Sequence, residues 1–156
     1  MINIHTMLPA FEVTDAQGGA LSLTDSVGED NVLIYFMRTS TCQVCINHLR
    51  DLAGHKAELD AYGIRVMVAI PEGQEAVARW QEKYGFPFTG IAAQAGSTHA
   101  EFGLNKKIFG SMQESGVVLA DIDGVVRYTR SAVIATGAYN WPELFTAIRE
   151  LTPEAA

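Results

Sequence analysis

The chain has 156 residues, 48% of them hydrophobic, enough to bury a sizeable core, and its length asks for no more than one domain over residues 1–156. Eleven Lys and Arg against 18 Asp and Glu leave a formal net charge of −7, which repels phosphate backbones and anionic lipid and argues against nucleic-acid and membrane partners. The opening MINIHTMLPAFEV has no basic head before a long apolar stretch, and no 18-residue apolar run follows it, so a cytoplasmic protein without signal peptide or membrane span is expected.

In chain order, Phe11-Glu12-Val13 is a short strand, and the glycine-rich turn Asp15–Gly19 brings it back into Leu21-Ser22-Leu23 as an N-terminal hairpin. Val32 to Met37 is a continuous, β-branched apolar run of the kind found in a strand buried on both faces. It breaks at the polar Arg38-Thr39-Ser40-Thr41 and gives way to a helical pattern that starts near Gln43, carries Leu49 and Leu52 in phase, and runs to Gly63. Ile64 to Ile70 is the next buried strand, completing a βαβ unit. Pro71-Glu72-Gly73 turns into a second helix with Val77, Trp80 and Tyr84 in phase, which stops at Gly85. Thr98 and Glu101 have capping-box spacing and open a short helix through Phe102. Val117–Ala120, the turn Asp121–Gly124 and Val125–Tyr128 form a second hairpin. Asn140 caps the last helix, with Pro142 in its first turn and Leu144, Phe145, Ile148 and Leu151 on its buried side. The result is an α/β domain, a mixed central sheet flanked by helices.

Chemistry concentrates at the strand-to-helix turn. Cys42 and Cys45 are the only cysteines in the chain and stand three apart at a helix start. Unpaired N–H groups and the partial positive charge of a first helical turn favour the thiolate, the reactive form of the thiol. Three-residue spacing puts both sulfurs on one helix face, where they can close a small disulfide. A CxxC pair in a reducing compartment is catalytic or metal-binding more often than structural. A zinc site is the metal alternative: Cys42, Cys45 and His48 supply three ligands, with His55 or His99 as the fourth. The bland reading makes His48, His55 and His99 surface residues and Trp80 and Trp141 core. Arg38 is the least bland residue, because a guanidinium in the loop before a thiolate lowers the thiol pKa.

Phe36-Met37-Arg38-Thr39-Ser40-Thr41-Cys42-Gln43-Val44-Cys45 with Leu49 and Leu52 resembles the F-Y-R-G-x-W-C-P-Y-C-x-x-x-L-x-x-L segment of peroxiredoxin-like proteins in the alkyl hydroperoxide reductase and thiol-specific antioxidant group. Leu8-Pro9-x-Phe11, the strand Val66 to Ile70 and Leu119-Ala120-Asp121-x-Asp123-Gly124-x-x-Arg127-Tyr128 extend the likeness to roughly Leu8–Leu151. The resemblance implies a thioredoxin-like fold and a peroxide-reducing thiol chemistry with no cofactor. It places Cys45 where the family has its peroxide-attacking cysteine. Against the pattern P-x-x-x-T-x-x-C, Arg38 then replaces the proline and Cys42 the threonine, whose hydroxyl orients the peroxide; a thiol there captures a sulfenic acid instead. The arginine that stabilises the family's thiolate falls near Ser115 and is missing, leaving Arg38, with Arg127 or Arg130 on the neighbouring strand, as substitutes.

Two further readings stand beside peroxide reduction. A thioredoxin-like disulfide reductase uses Cys42 as nucleophile, although Glu114-Ser115-Gly116 lacks the proline those proteins place opposite CxxC. A non-enzymatic redox-sensing module uses the disulfide to toggle a surface. Under the leading reading Cys42, Cys45 and Arg38 are catalytic, Thr41, Arg127 and Arg130 contact substrate, an external thiol regenerates the protein, and a homodimer is expected from the resemblance.

Overall fold

In the computed structural model, residues 1–93, 97–104, 106–107 and 112–151 are described. The buried run Asn31–Phe36 is β3, an interior strand of a seven-stranded mixed sheet. Its neighbours are β4 (Ile64–Ile70), parallel to it, and β8 (Ser115–Ala120), antiparallel. Beyond β4 lie β5 (Thr89–Ala92), β1 (Glu12–Asp15) and β2 (Ala20–Ser22); beyond β8 lies β9 (Val126–Ala132), giving the order β2-β1-β5-β4-β3-β8-β9. The expected mixed sheet and N-terminal hairpin are both present, and β1 also pairs with β5. A two-stranded ribbon of β6 (Lys106–Lys107) and β7 (Met112–Gln113) stands apart.

Alternation along the strands builds two cores. Leu33, Tyr35 and Met37 face one side with α1 (Gln43–Gly54), α2 (Lys56–Ala61), α3 (Gln74–Tyr84) and α5 (Trp141–Leu151). Val32, Ile34 and Phe36 face the other, against the N-terminal segment and Phe102 at the end of α4 (Ser97–Glu101). Trp80 is core, as expected, and Trp141 packs half-buried against it. Asn140 accepts the Glu143 N–H at 3.0 Å and so caps α5, while Gly63 and Gly85 take left-handed φ values of 64° and 59° after the helices they close.

Local expectations yield in four places. The helix read from Gln43 to Gly63 is two helices, broken where the His55 N–H turns back to Leu52 and Ala53, so that α2 lays Leu59 on the sheet. Thr98 does not cap α4: it is the helix's second residue, buried, and its hydroxyl has no partner. His99 is a fully buried residue and no surface group, with Nε2–H donating to the Met37 carbonyl at 2.8 Å. The second hairpin is longer than its apolar run, starting at Ser115 and ending at Ala132. The added β9 residues are held by the ladder with β8 and by Arg130, whose side chain bonds the Gly137 carbonyl and Glu143.

Candidate active site

The parallel strands β3 and β4 end at the same edge of the sheet, where α/β sites form. Met37 N–H still reaches the Ala69 carbonyl at 2.9 Å, after which the chain leaves the sheet. Glu72, in the β4–α3 turn, holds the departing segment by accepting from Ser40 N–H at 2.6 Å and Ser40 Oγ at 2.7 Å. Cys42 is then the N-cap of α1, with extended backbone, and Cys42 Sγ accepts the Cys45 N–H at 3.2 Å. A sulfur in that position receives one of the helix's orphan donors and the positive end of its dipole. Cys42 and Cys45 form a disulfide with their Cα atoms 5.2 Å apart, so both sulfurs meet within one intact helical turn. Both cysteines are buried, Cys42 5% exposed and Cys45 0%, in one core cluster with Ala135.

A groove of about 390 Å³ leads to the disulfide, with Arg38, Cys42, Gln43 and Val44 on one side and residues 133–136 on the other. Arg38 and Cys42 are therefore brought together. Arg130 acts on the far wall: Nε donates to the Gly137 carbonyl at 2.8 Å, and Nη1 meets both Glu143 oxygens at 3.1 Å. Glu143 also accepts from Tyr128 Oη at 2.6 Å, and that bond, followed by Arg130, lowers its pKa. Arg130 thus braces the single 3-10 turn, Ala135–Gly137, that continues this wall.

Arg127 is not at the site. It lies at a bulge where β9 pairs with Ala120, the rung of Val32, at the opposite end of β3 from the cysteines. Its Nε donates to Asp121 Oδ2 at 2.7 Å. Burial works to raise the Asp121 carboxyl, but the Val125 amide, Arg127 and the Asp123 amide outweigh it and hold it low. Thr41 is exposed and faces a second cleft with Ser40, Arg79 and Lys83, away from the groove that Cys42 lines. The zinc alternative loses its geometry as well: His99 sits on the Phe36 side of the sheet, and His48 Nδ1 is engaged at 2.7 Å by Tyr35 Oη.

Sequence reading missed a polar cluster along α1. Tyr35 is fully buried, burial holds its phenol protonated far above the ordinary value, and its Oη shares a hydrogen bond of 2.7 Å with His48 Nδ1. Burial lowers the His48 pKa against the opposing charge of Asp51. Tyr139 packs on His48 with ring centroids 5.0 Å apart and donates to Asp51 Oδ2 at 2.7 Å, tying the end of the groove wall to α1. The available signal was spacing: His48 and Asp51 follow Cys45 by one and two helical steps of three. Ser115, which begins β8 beside the end of β3, is fully buried with no partner for its hydroxyl.

The sequence profile of the AhpC/TSA family matches residues 4–129. The chain belongs to that family. Among relatives, the Haemophilus influenzae peroxiredoxin bcp is 29% identical over 111 residues, covering 70% of this chain and 71% of that one. Chloroplastic peroxiredoxin Q of Oryza sativa subsp. japonica is 23% identical over 120 residues, covering 77% of this chain and 55% of that one. Among solved structures, peroxidoxin BcpB from Mycobacterium tuberculosis superposes with a TM-score of 0.81 at 15% identity, over 97% of this chain and 99% of that one. Thiol peroxidase from Chromobacterium violaceum gives 0.77 at 18%, over 95% and 87%. At these identities the structural likeness is one of fold, and it is the thioredoxin-like fold that the family resemblance implied.

Proposed function

We propose that the chain reduces hydroperoxides through its two cysteines, as a thiol-dependent peroxidase of the AhpC/TSA family. The observation that carries this reading is the Cys42–Cys45 disulfide in the first turn of α1, in a chain matched to the family over residues 4–129. Cys45 thiolate attacks the distal oxygen of ROOH, the O–O bond breaks, and ROH leaves with a proton while Cys45 becomes a sulfenic acid. Cys42 thiol then attacks that sulfur, releasing water and closing the disulfide. Because the bond fits an intact helical turn, resolution needs no unwinding of α1. Two electrons from an external thiol restore the pair. Arg38, on the groove beside Cys42, supplies the cation for the thiolate and the polarised peroxide, and Arg130 holds the opposite wall.

One observation favours a second reading. Cys42, and not Cys45, lines the groove and takes the helix N–H, as the nucleophile of a disulfide reductase would. Mass spectrometry after one equivalent of peroxide separates the two. Under the first, Cys42→Ser carries a sulfenic or sulfinic acid on Cys45 and Cys45→Ser is unmodified; an adduct found only on Cys42 of Cys45→Ser reverses the roles. The protein is read as a single cytoplasmic domain without nucleic-acid or membrane partners, supported by the net charge of −7 and by the lack of any helix, among the described residues, long and apolar enough to cross a membrane. It is read as a homodimer, for which β9, the last strand of the sheet among the described residues, offers a surface. A monomer in sedimentation at high concentration refutes that part.

A further inference from the structure

The turn that carries the cysteines has two sides, and only one faces the groove. On the other, a cleft of about 210 Å³ lies between Ser40-Thr41 and α3. Arg79 and Lys83 stand one helical turn apart at its rim, and neither has an ion-pair partner among the described residues, although the chain as a whole is strongly acidic. The nearest carboxylate of the turn, Glu72, is already engaged by Ser40. Lys83 Nζ lies 5.3 Å from the centroid of the Tyr84 ring, which holds the ammonium at the cleft. Trp80 forms part of the lining, is 3% exposed, and its indole Nε1–H has no acceptor. A buried donor without a partner costs free energy, and here it accompanies two unpaired cations and the Thr41 hydroxyl.

We propose that this cleft binds the carboxylate arm of a low-molecular-weight thiol, and that such a thiol is the reductant of the Cys42–Cys45 disulfide. The proposal rests on the peroxidase reading and names the electron donor it left open. Thr41 lines the cleft and the adjacent Cys42 lines the groove, so the two spaces flank one turn and the thiol has to reach across Thr41 to the sulfur under attack. A thiol of peptide size spans that gap with its carboxylate between Arg79 and Lys83. A disulfide buried to 5% and 0% at its two residues favours a slim attacker.

The exchange balances with two thiols. The first thiolate attacks Cys42 Sγ, the more accessible sulfur; the S–S bond breaks, Cys45 leaves as thiolate and a mixed disulfide forms on Cys42. A second thiolate attacks the sulfur of the bound thiol, Cys42 leaves as thiolate, and the small molecule departs as its disulfide. Two electrons pass to the protein and both cysteines return to the peroxide-reactive form.

The test follows reduction of the oxidised full chain by stopped-flow, comparing glutathione and γ-glutamylcysteine with the uncharged 2-mercaptoethanol, each per unit of thiolate. The carboxylate thiols are expected to be faster, with a preference that shrinks as ionic strength rises. Arg79→Ala and Lys83→Ala are each expected to cut the ratio of carboxylate to neutral rate constants by about fivefold, the range of a partly exposed ion pair, and the double variant by more. Equal rates for charged and neutral thiols in the wild type, or ratios unmoved in the variants, overturn the proposal. So does a protein dithiol such as thioredoxin that outpaces every small thiol and reduces wild type and double variant alike. Peroxide consumption by the wild type with dithiothreitol is the separate check on the peroxidase reading: if it is absent, that reading fails, and if it is present without a charge preference, only the cleft does.

Discussion

Acidification from pH 7 to below 4 is expected to cost the folded protein about 3 kcal/mol through one side chain, His99. The imidazole is fully buried between Phe36, whose ring centroid is 5.1 Å away, and the Met37 carbonyl that takes its Nε2–H, and its Nδ1 has no partner. Burial pushes its pKa down from 6.5 to about 4, with the bond to Met37 opposing the shift. The folded value lies below the unfolded one, so between them the unfolded chain binds the extra proton. Stability is therefore complete above pH 6.5, falls as pH drops through that window, and levels off below 4. At about 1.4 kcal/mol per pH unit the gap is worth about 3 kcal/mol, a large share of the roughly 5–15 kcal/mol of an ordinary domain. The assay is urea denaturation from pH 7.5 to 3.5 on wild type and His99→Gln, which keeps a donor for Met37 but does not titrate. Contributions of Asp121, Glu143 and His48 cancel in the difference between the two. A difference that stays flat with pH refutes the assignment of His99 as a buried neutral group.

Adjacent substitutions on β8 are expected to act in opposite directions. Ser115→Ala removes a buried hydroxyl without a partner and raises stability by about 1 kcal/mol in denaturant titration. Gly116→Ala drives a Cβ into the Arg130 carbonyl oxygen of β9 and lowers stability by at least about 2 kcal/mol. Tyr139→Phe breaks the bond to Asp51 at a cost of about 1 kcal/mol, and by loosening the groove wall it raises KM for peroxide more than it lowers kcat. Arg38→Gln lowers the rate of peroxide attack about tenfold or more, read in stopped-flow as loss of kcat/KM, through loss of the cation beside the thiolate; Arg127→Gln leaves that rate unchanged, since its guanidinium serves Asp121 at the other end of the sheet.

Much of this protein is written in local sequence. The apolar run Val32–Met37 has no polar face, so it had to be an interior strand; the polar break after it and the helical phase of Leu49 and Leu52 put Cys42 and Cys45 at a helix start. Asn140, Gly63 and Gly85 end or begin helices through backbone geometry that a few neighbouring residues settle. None of these depends on what the rest of the chain does. What joins across the fold was not legible. The break at His55 serves the packing of Leu59 on the sheet; His99 is buried because Met37, 62 positions earlier, offers its carbonyl; Ser40 is held by Glu72, 32 positions on. Arg127 and Arg130 looked equivalent as cations on one strand, and its register and bulge divided them between the far end of the sheet and the groove wall. Periodicity and capping are set by residues within a turn of each other, whereas a side chain's partner is set by which strands the whole chain brings side by side, and only the tertiary structure decides that.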